Sequence, residues 1–449
     1  MAQAVDLSTH YDVIIVGGRP AGASLAARLG QRNIKTLIVE QATFPSKPAV
    51  STPFVWAHTM ELLDEIGVDE ADYARNTPQM TRAVLEFGTH FRTFLPISER
   101  AGRSYMYTVE RARFDEALWK NLDRFTTVSA IEDFSVTDLV KDDAGRVSGI
   151  VGHYAKQDPQ TISADCVVGA DGRFSTVARK AGAEITEQRT DVDTTIYYAF
   201  WENVAPYDEA GDALPHIHAS LDGFTSVFMP TADNLVAVVA QGQSDLYNVH
   251  NEDVQDYYLS YLQQRPYMWR RLTQAKQVSK LSGMKRMGNL FREAAGPGWA
   301  LIGDAYHQKD SLDGQGIYDA LLGAKFLAEE IEAWKLNEKS WDEAMTAYGE
   351  RINAATKPMF VATLDRVKRE VYTIPPPFVA KNVLRWMLTD PEYIRRFSLL
   401  LIRKIDPENW APPPVLLKAL ASGIGSDLKR LFSRSANPQA LPPIKEMIQ

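Results

Sequence analysis

Apolar residues in this chain fall first into short, nearly continuous runs and later, beyond residue 316, into helical periodicity. Tyr11-Asp12-Val13-Ile14-Ile15-Val16 leads into Gly17-Gly18-Arg19-Pro20-Ala21-Gly22 and then into Ala-rich sequence from Ala23 to Leu29. A second run, Thr36-Leu37-Ile38-Val39, ends at Glu40, so residues 11–40 predict one βαβ unit. Cys166-Val167-Val168 runs into Gly169-Ala170-Asp171-Gly172, and Trp299-Ala300-Leu301-Ile302 runs into Gly303-Asp304-Ala305, each a strand meeting a polar glycine turn. After a short irregular stretch, Gly314-Gln315-Gly316 opens a long helix marked by Ile317, Ala320, Leu321, Ala324, Leu327, Ile331 and Trp334. Between these segments, Val84 to Pro96 reads as a hairpin, and residues 194–243 read as three strands rich in Thr, Tyr, Val and Phe. Residues 336–449 read as helices interrupted at Ile374-Pro375-Pro376-Pro377 and Trp410-Ala411-Pro412-Pro413-Pro414.

Composition narrows the class. A length of 449 residues suits two or three domains or one large composite fold. With 45% apolar and 24% charged residues the mixture is globular, and a net charge of −8 argues against a nucleic-acid partner. The single cysteine, Cys166, forms no intramolecular disulfide and sits in an apolar run, which predicts a buried, inert thiol in a reducing compartment. No stretch of 18 apolar residues occurs and Met1 to His10 lacks the order of a secretory signal, so a cytoplasmic protein is expected, with no metal site.

The first glycine turn has a chemical logic. Gly17 permits the tight turn and Gly22 lets helix and strand approach, so the helix that opens at Pro20 and Ala21 presents its unpaired N–H groups and positive dipole end to a pyrophosphate. Glu40, eighteen residues beyond Gly22, is placed to accept from ribose hydroxyls. Arg19 stands where the middle glycine of the dinucleotide fingerprint belongs; either the loop is displaced or the guanidinium joins the phosphate contacts. Taken alone, this segment also fits a tight turn in an ordinary α/β sheet.

Together the three turns resemble the flavoprotein monooxygenases of the para-hydroxybenzoate hydroxylase class, which share a fold with geranylgeranyl reductases and flavin-dependent halogenases. The resemblance covers most of residues 11–335. It implies an α/β fold with a discontinuous Rossmann-like FAD-binding domain (1–80, 105–185 and 289–335). A mixed or antiparallel substrate sheet (81–104 and 186–288) and a C-terminal helical cap (336–449) complete it. It implies further that Gly17, Gly22 and Glu40 bind the ADP half of FAD, that Asp171 and Gly172 form a second contact, and that Gly303 and Asp304 hold the ribityl chain. Gly314, Gln315, Gly316 and Ile317 then face the flavin's pyrimidine edge, where the helix dipole favours the negative charge of reduced flavin. Within Val109-Glu110-Arg111-Ala112-Arg113-Phe114-Asp115, Arg111 matches a family cofactor contact, although Arg113 is equally available. Ser51 and Thr52, in the stretch after Phe44-Pro45-Ser46-Lys47, are either flavin neighbours or a simple polar loop. One departure concerns Asp310-Ser311, which replaces a Pro-Pro pair while His307 keeps the family's histidine position; the pattern looks like a less-studied branch of FAD-dependent oxidoreductases.

Since no second strand–glycine–helix fingerprint occurs, electrons are expected from transiently bound NAD(P)H or from a separate flavin reductase. The leading expectation is a monooxygenase using reduced flavin and O2 to hydroxylate or oxidise an apolar or aromatic small molecule. The alternative is a saturating reductase of an alkene or isoprenoid, similar to geranylgeranyl reductases. Against it stand Ala49-Val50, where the reductases carry Cys-Gly, and Phe224 to Pro230, where they carry Tyr-x-Trp-x-Phe-Pro. The Trp-x-Trp-x-Ile-Pro segment of halogenases is not found, and a non-enzymatic flavin-binding role is the bland alternative. One strand places Thr195, Tyr197, Ala199 and Trp201 on one face and Ile196, Tyr198 and Phe200 on the other, and one face should meet the flavin. His218, sharing a strand face with His216, is the candidate base; a hydrogen-bonded core histidine is the plainer reading. The basic-apolar stretches Ile394 to Lys404 and Leu428 to Phe432 are expected to pack against the protein, with docking to a membrane surface as the lesser alternative.

Overall fold

Strands buried on both faces form the first sheet, which explains why their sequences are continuous apolar runs. The computed structural model describes residues 10–46, 51, 53–155, 157–246 and 253–432. In it, Trp299–Leu301, Gln160–Gly169, Tyr11–Val16, Thr36–Val39 and Val128–Ile131 lie side by side in parallel. Ala295–Gly296 adds an antiparallel edge, and a hairpin of Phe134–Lys141 and Val147–Tyr154 pairs with the first half of Gln160–Gly169. Cys166 is fully buried in the centre, and burial pushes its thiol up to about 12.

Register decides where the turns fall. Val16 lies opposite both Gly169 and Val39, and Gly169 lies opposite Leu301. The strands therefore end level, and Gly17, Glu40, Ala170 and Ile302 follow in a row at their carboxyl ends, the side on which open α/β sheets bind ligands. Helix Pro20–Gln31 leaves this edge and packs beside the long helix Gly316–Lys335, with Leu25, Leu29, Leu321 and Leu327 fully buried in one core.

The second sheet is mixed. Its order is Lys276–Gln277, Thr194–Glu202, Val236–Gln243, Phe224–Pro230, His216–Ala219, Arg82–Phe87 and Phe91–Pro96, with Ser282–Met284 pairing further along Thr194–Glu202. Only His216–Ala219 against Arg82–Phe87 is parallel. Residues 194–243 thus hold four strands rather than three. The fourth, His216–Ala219, spans 4 residues, too few to show a period-two pattern. One face carries Tyr197, Ala199 and Trp201 beneath helix Val254–Gln263; the other carries Ile196, Tyr198, Met229, Val239 and Met287.

From Lys335 to Phe432 the chain is mostly helical. Helix Trp341–Glu370 starts with a capping box in which Ser340 and Glu343 satisfy each other's backbone amides. The helical run is broken at Ile374–Pro377, as the prolines predict, whereas Pro413 and Pro414 open helix Pro413–Phe432, where a missing N–H has no helical partner to lose. Helix Pro391–Leu401 buries Ile394, Phe397, Leu400 and Leu401 against Leu85, Phe91 and Leu95 of the hairpin. The first basic-apolar stretch therefore packs.

Close approach at the first turn sets a test. A Cβ on Gly22 would lie 1.8 Å from the Gly17 carbonyl oxygen, whereas one on Gly316 would meet nothing within 4 Å. Gly22→Ala is expected to destabilise the protein by about 2 kcal/mol or more in chemical denaturation, in the range of overpacked cores or above it. Gly316→Ala should leave the Tm of flavin-free protein unchanged within about 2 °C.

Candidate flavin site

The row of turns begins with Gly17, whose φ of +107° and 2.5 Å approach of its Cβ position to the Ala170 carbonyl oxygen admit no side chain. Gly18 donates its N–H to Glu40 Oε2 at 2.7 Å, and Glu40 Oε1 accepts from Ala42 N at 3.1 Å. Glu40, only 4% exposed, therefore holds the turn in shape as well as lying at its mouth. Pro20 is the first residue of the helix and Ala21 follows, and no side chain caps this N-terminus. Its dipole end remains for an anion.

Arg19 is engaged by the protein itself. Its Nη1 donates to Asp115 at 2.6 Å and its Nη2 to Ser46 Oγ at 3.0 Å, so the guanidinium turns sideways along the turn. Asp115 is fully buried and also takes two bonds from Arg111, both at 2.9 Å. Arg111 in turn donates to Ser51 Oγ at 2.7 Å, and Ser51 N donates to Tyr198 Oη at 3.2 Å. One polar chain thus runs from the glycine turn to the second sheet. Arg111 joins it, whereas Arg113 points away to Asp233 and the Arg75 carbonyl. Thr52 and Lys47 lie outside the described residues. Asp115 escaped the choice of site residues; its signal was the Phe114-Asp115 pair, four positions after Arg111 on one helix face.

At the second turn, Asp171 accepts from Ser175 Oγ at 2.5 Å, Thr176 N at 2.7 Å and Val177 N at 3.1 Å. It caps the helix Thr176–Ala181, and burial raises its pKa above the usual carboxylate value. Gly172 has φ +77° and open space where a Cβ would sit. The third turn has Gly303 at φ +60°, with its Cβ position 3.1 Å from Ala21 and 3.4 Å from Ala320, so helices Pro20–Gln31 and Gly316–Lys335 meet over it. Asp304, its side chain 39% exposed, pairs with Arg173 Nε at 3.0 Å. Gly314, at φ +63°, packs against Phe54; Gln315 is buried and donates to the Leu401 carbonyl at 3.0 Å while accepting from Arg403 Nε. Gly316 and Ile317 begin the long helix, which likewise has no side-chain cap.

Beside the third turn lies a buried ionic cluster. Lys309 Nζ is 3.0 Å from Asp313 and 2.8 Å from Asp319, and Arg403 Nη2 reaches Asp319 at 3.0 Å. Next to it, Asp310, fully buried, accepts from Thr194 Oγ1 at 2.6 Å and Gln241 Nε2 at 2.9 Å, and burial raises its pKa. Where related sequences have prolines, this chain thus ties its loop to the second sheet. The departure at Asp310 was visible in sequence, but its partners Thr194 and Gln241, and the Arg403 partner of Asp319, lie far away in the chain.

FAD fits this arrangement. Gly172 and Gly316 border open space on the row of turns, two uncapped helix N-termini adjoin it, and Asp304 offers a half-exposed carboxylate. A scan against protein families matches the FAD binding domain over residues 10–360. The chain belongs to this family. Among its relatives is the digeranylgeranylglycerophospholipid reductase of Methanosphaerula palustris, 25% identical over 79% of this chain and 84% of that protein. Another is the 1H-pyrrole-2-carbonyl-(peptidyl-carrier protein) chlorinase of Pseudomonas fluorescens, 24% identical over 98% of this chain and 99% of that one. The flavin-dependent brominase Bmp2 shares the fold with a TM-score of 0.76 at 20% identity, over 94% of this chain and 100% of that structure. Reductases and halogenases thus stand together with this chain in one FAD-dependent superfamily.

His218 is not brought to the site. It pairs with Ser226, which pairs with Ala240, which pairs with Tyr197, so it shares the face beneath the helices and not the Tyr198 face. Its ring lies 4.5 Å from that of Tyr267, and burial lowers its pKa to about 3. His216 on the same face bonds Glu86 at 2.7 Å, and that imidazole holds the carboxylate at about 2 against its burial.

Two outcomes are expected. Asp304→Ala should weaken FAD retention at least tenfold, measured by flavin fluorescence during dialysis, because the third turn loses its exposed carboxylate. His218 has a native pKa below its unfolded value of 6.5, so the unfolded chain binds the extra proton and stability falls as pH drops from 6.5 towards 3. Between pH 6.5 and 5, His218→Gln should lose about 1–2 kcal/mol less than the parent in urea unfolding.

Proposed function

We propose that this protein is an FAD-dependent monooxygenase that takes an apolar or aromatic small molecule between the flavin ring and the Ile196, Tyr198 and Val239 face of the second sheet. The observation that carries this reading is the apolar character of that face together with its link to the cradle through Tyr198 and Ser51. Bound FAD supplies two-electron redox chemistry and, when reduced, reactivity towards O2. The chain's own residues hold the cofactor and shape its surroundings. Asp304 would accept from the ribityl hydroxyls, while Arg111, kept in place by Asp115 and bonded to Ser51, would help hold the flavin. The uncapped start of Gly316–Lys335 stabilises negative charge at the pyrimidine edge. Ile196, Met229, Val239 and Met287 exclude water, which keeps reactive oxygen species from hydrolytic or wasteful loss. Tyr198 accepts from Ser51 and keeps its own hydroxyl proton to donate to a polar atom of the substrate. NAD(P)H binding transiently, or a separate flavin reductase, supplies the electrons.

A second reading, reduction of an alkene in an isoprenoid, is favoured by the likeness to the digeranylgeranylglycerophospholipid reductase. The two separate in one experiment. FAD-loaded protein is reduced without air by NADPH, NADH or dithionite and mixed with O2 in a stopped-flow spectrometer. Oxygenation predicts a near-ultraviolet transient distinct from oxidised and reduced flavin. Direct reoxidation without a transient, together with anaerobic saturation of an isoprenoid alkene, would replace the monooxygenase reading by the reductase one. Adding bromide to the same mixture tests halogenation, the activity that names the chlorinase and brominase relatives.

A further inference from the structure

The last described helix, Pro413–Phe432, does not bury its whole apolar surface. Ala419 is fully buried and Gly423 lies under the Trp386 ring, which fixes the inward face. On the outward face, Leu417, Ala421, Ile424 and Leu428 recur at i, i+4, i+7 and i+11, and the three large ones are 66%, 44% and 52% exposed. Phe378, 63% exposed, has its ring 6.2 Å from that of Trp386 and flanks the same helix. Solvent-facing apolar residues in a soluble chain are normally scattered, whereas these form one stripe.

Charge tells what the stripe meets. Lys418 and Lys429 are exposed one position beyond Leu417 and Leu428 and so line one side of it. Asp427, the helix's one acidic residue, is taken by Arg385 and by Trp386 Nε1 at 2.8 Å. Between residues 374 and 432, nine Lys or Arg stand against five Asp or Glu, in a chain whose net charge is −8. A basic, apolar-striped helix on an acidic protein matches the charge and polarity of a lipid surface with anionic headgroups. Among the described residues no helix is long and apolar enough to cross a membrane, so contact is in the plane of the surface.

We propose that helix Pro413–Phe432 docks the protein on anionic membrane surfaces, with Leu417, Ile424 and Leu428 entering the headgroup boundary and Lys418 and Lys429 holding anionic lipids. The proposal stands apart from the oxygenation reading, because vesicle binding is read without turnover.

The experiment floats the full-length, FAD-loaded protein with vesicles of phosphatidylcholine alone or with 30% phosphatidylglycerol. Binding at least tenfold stronger to the anionic vesicles is expected, falling sharply in 0.5 M salt. The exposed double variants L417E/I424E and K418E/K429E should each lower it at least tenfold while keeping the parent's flavin content and Tm. Absence of binding to anionic vesicles overturns the proposal. So does equal binding by the folded variants. A concentration-dependent dimer that L417E/I424E converts to monomer, with no vesicle binding, would assign the stripe to a second copy of the chain instead.

Discussion

Backbone against backbone, with no side chain between, is the contact on which this structure depends. The Ala170 carbonyl oxygen sits 2.5 Å from where a side chain would begin at Gly17, and the Gly17 carbonyl oxygen sits 1.8 Å from the corresponding point at Gly22. These approaches lock the first turn to the second and the first helix to its strand. Because the parallel strands end in register, the third turn at Gly303 falls into the same row. The cradle follows from level strand ends and missing side chains.

A fingerprint lacking its middle glycine needs another way to order the loop, and buried charge provides it. Asp115 has no exposure and two guanidinium partners, an arrangement that is strongly unfavourable if either arginine is removed, since a carboxylate would remain charged away from water. Arg19 therefore belongs to a cross-brace of the loop. Through Arg111 and Ser51 the brace ends at Tyr198, so the glycine turn, the Ser51 segment and the second sheet are positioned by one set of hydrogen bonds.

The far side of the site is organised in the same way. Gln315 and Asp319 of the long helix hold Arg403, while Arg100 binds the Ile402 and Arg403 carbonyls. Helix Pro391–Leu401, packed on the hairpin, is thereby pinned to the start of helix Gly316–Lys335. The C-terminal region thus closes the site with its first helices and leaves part of its last one facing outward.

Local sequence determined the strand–turn–helix units, the glycine positions, the long helix from Gly316 and the proline breaks, because each rests on backbone sterics or short-range periodicity. From the same residues came the expectation of FAD. Local pattern did not reveal the strand His216–Ala219, the Asp115 brace, or the Lys309–Asp319 cluster, whose partners lie up to a hundred residues away or sit in segments too short for a period. Alternation separated Tyr197 from Tyr198 but was silent on which of the two faces is covered. Tertiary structure decided that, by covering the Tyr197 face with a helix and leaving Tyr198 to bond Ser51, and it took His218 to the covered side. A chain's periodicity fixes which residues share a face; only packing fixes what that face is turned towards.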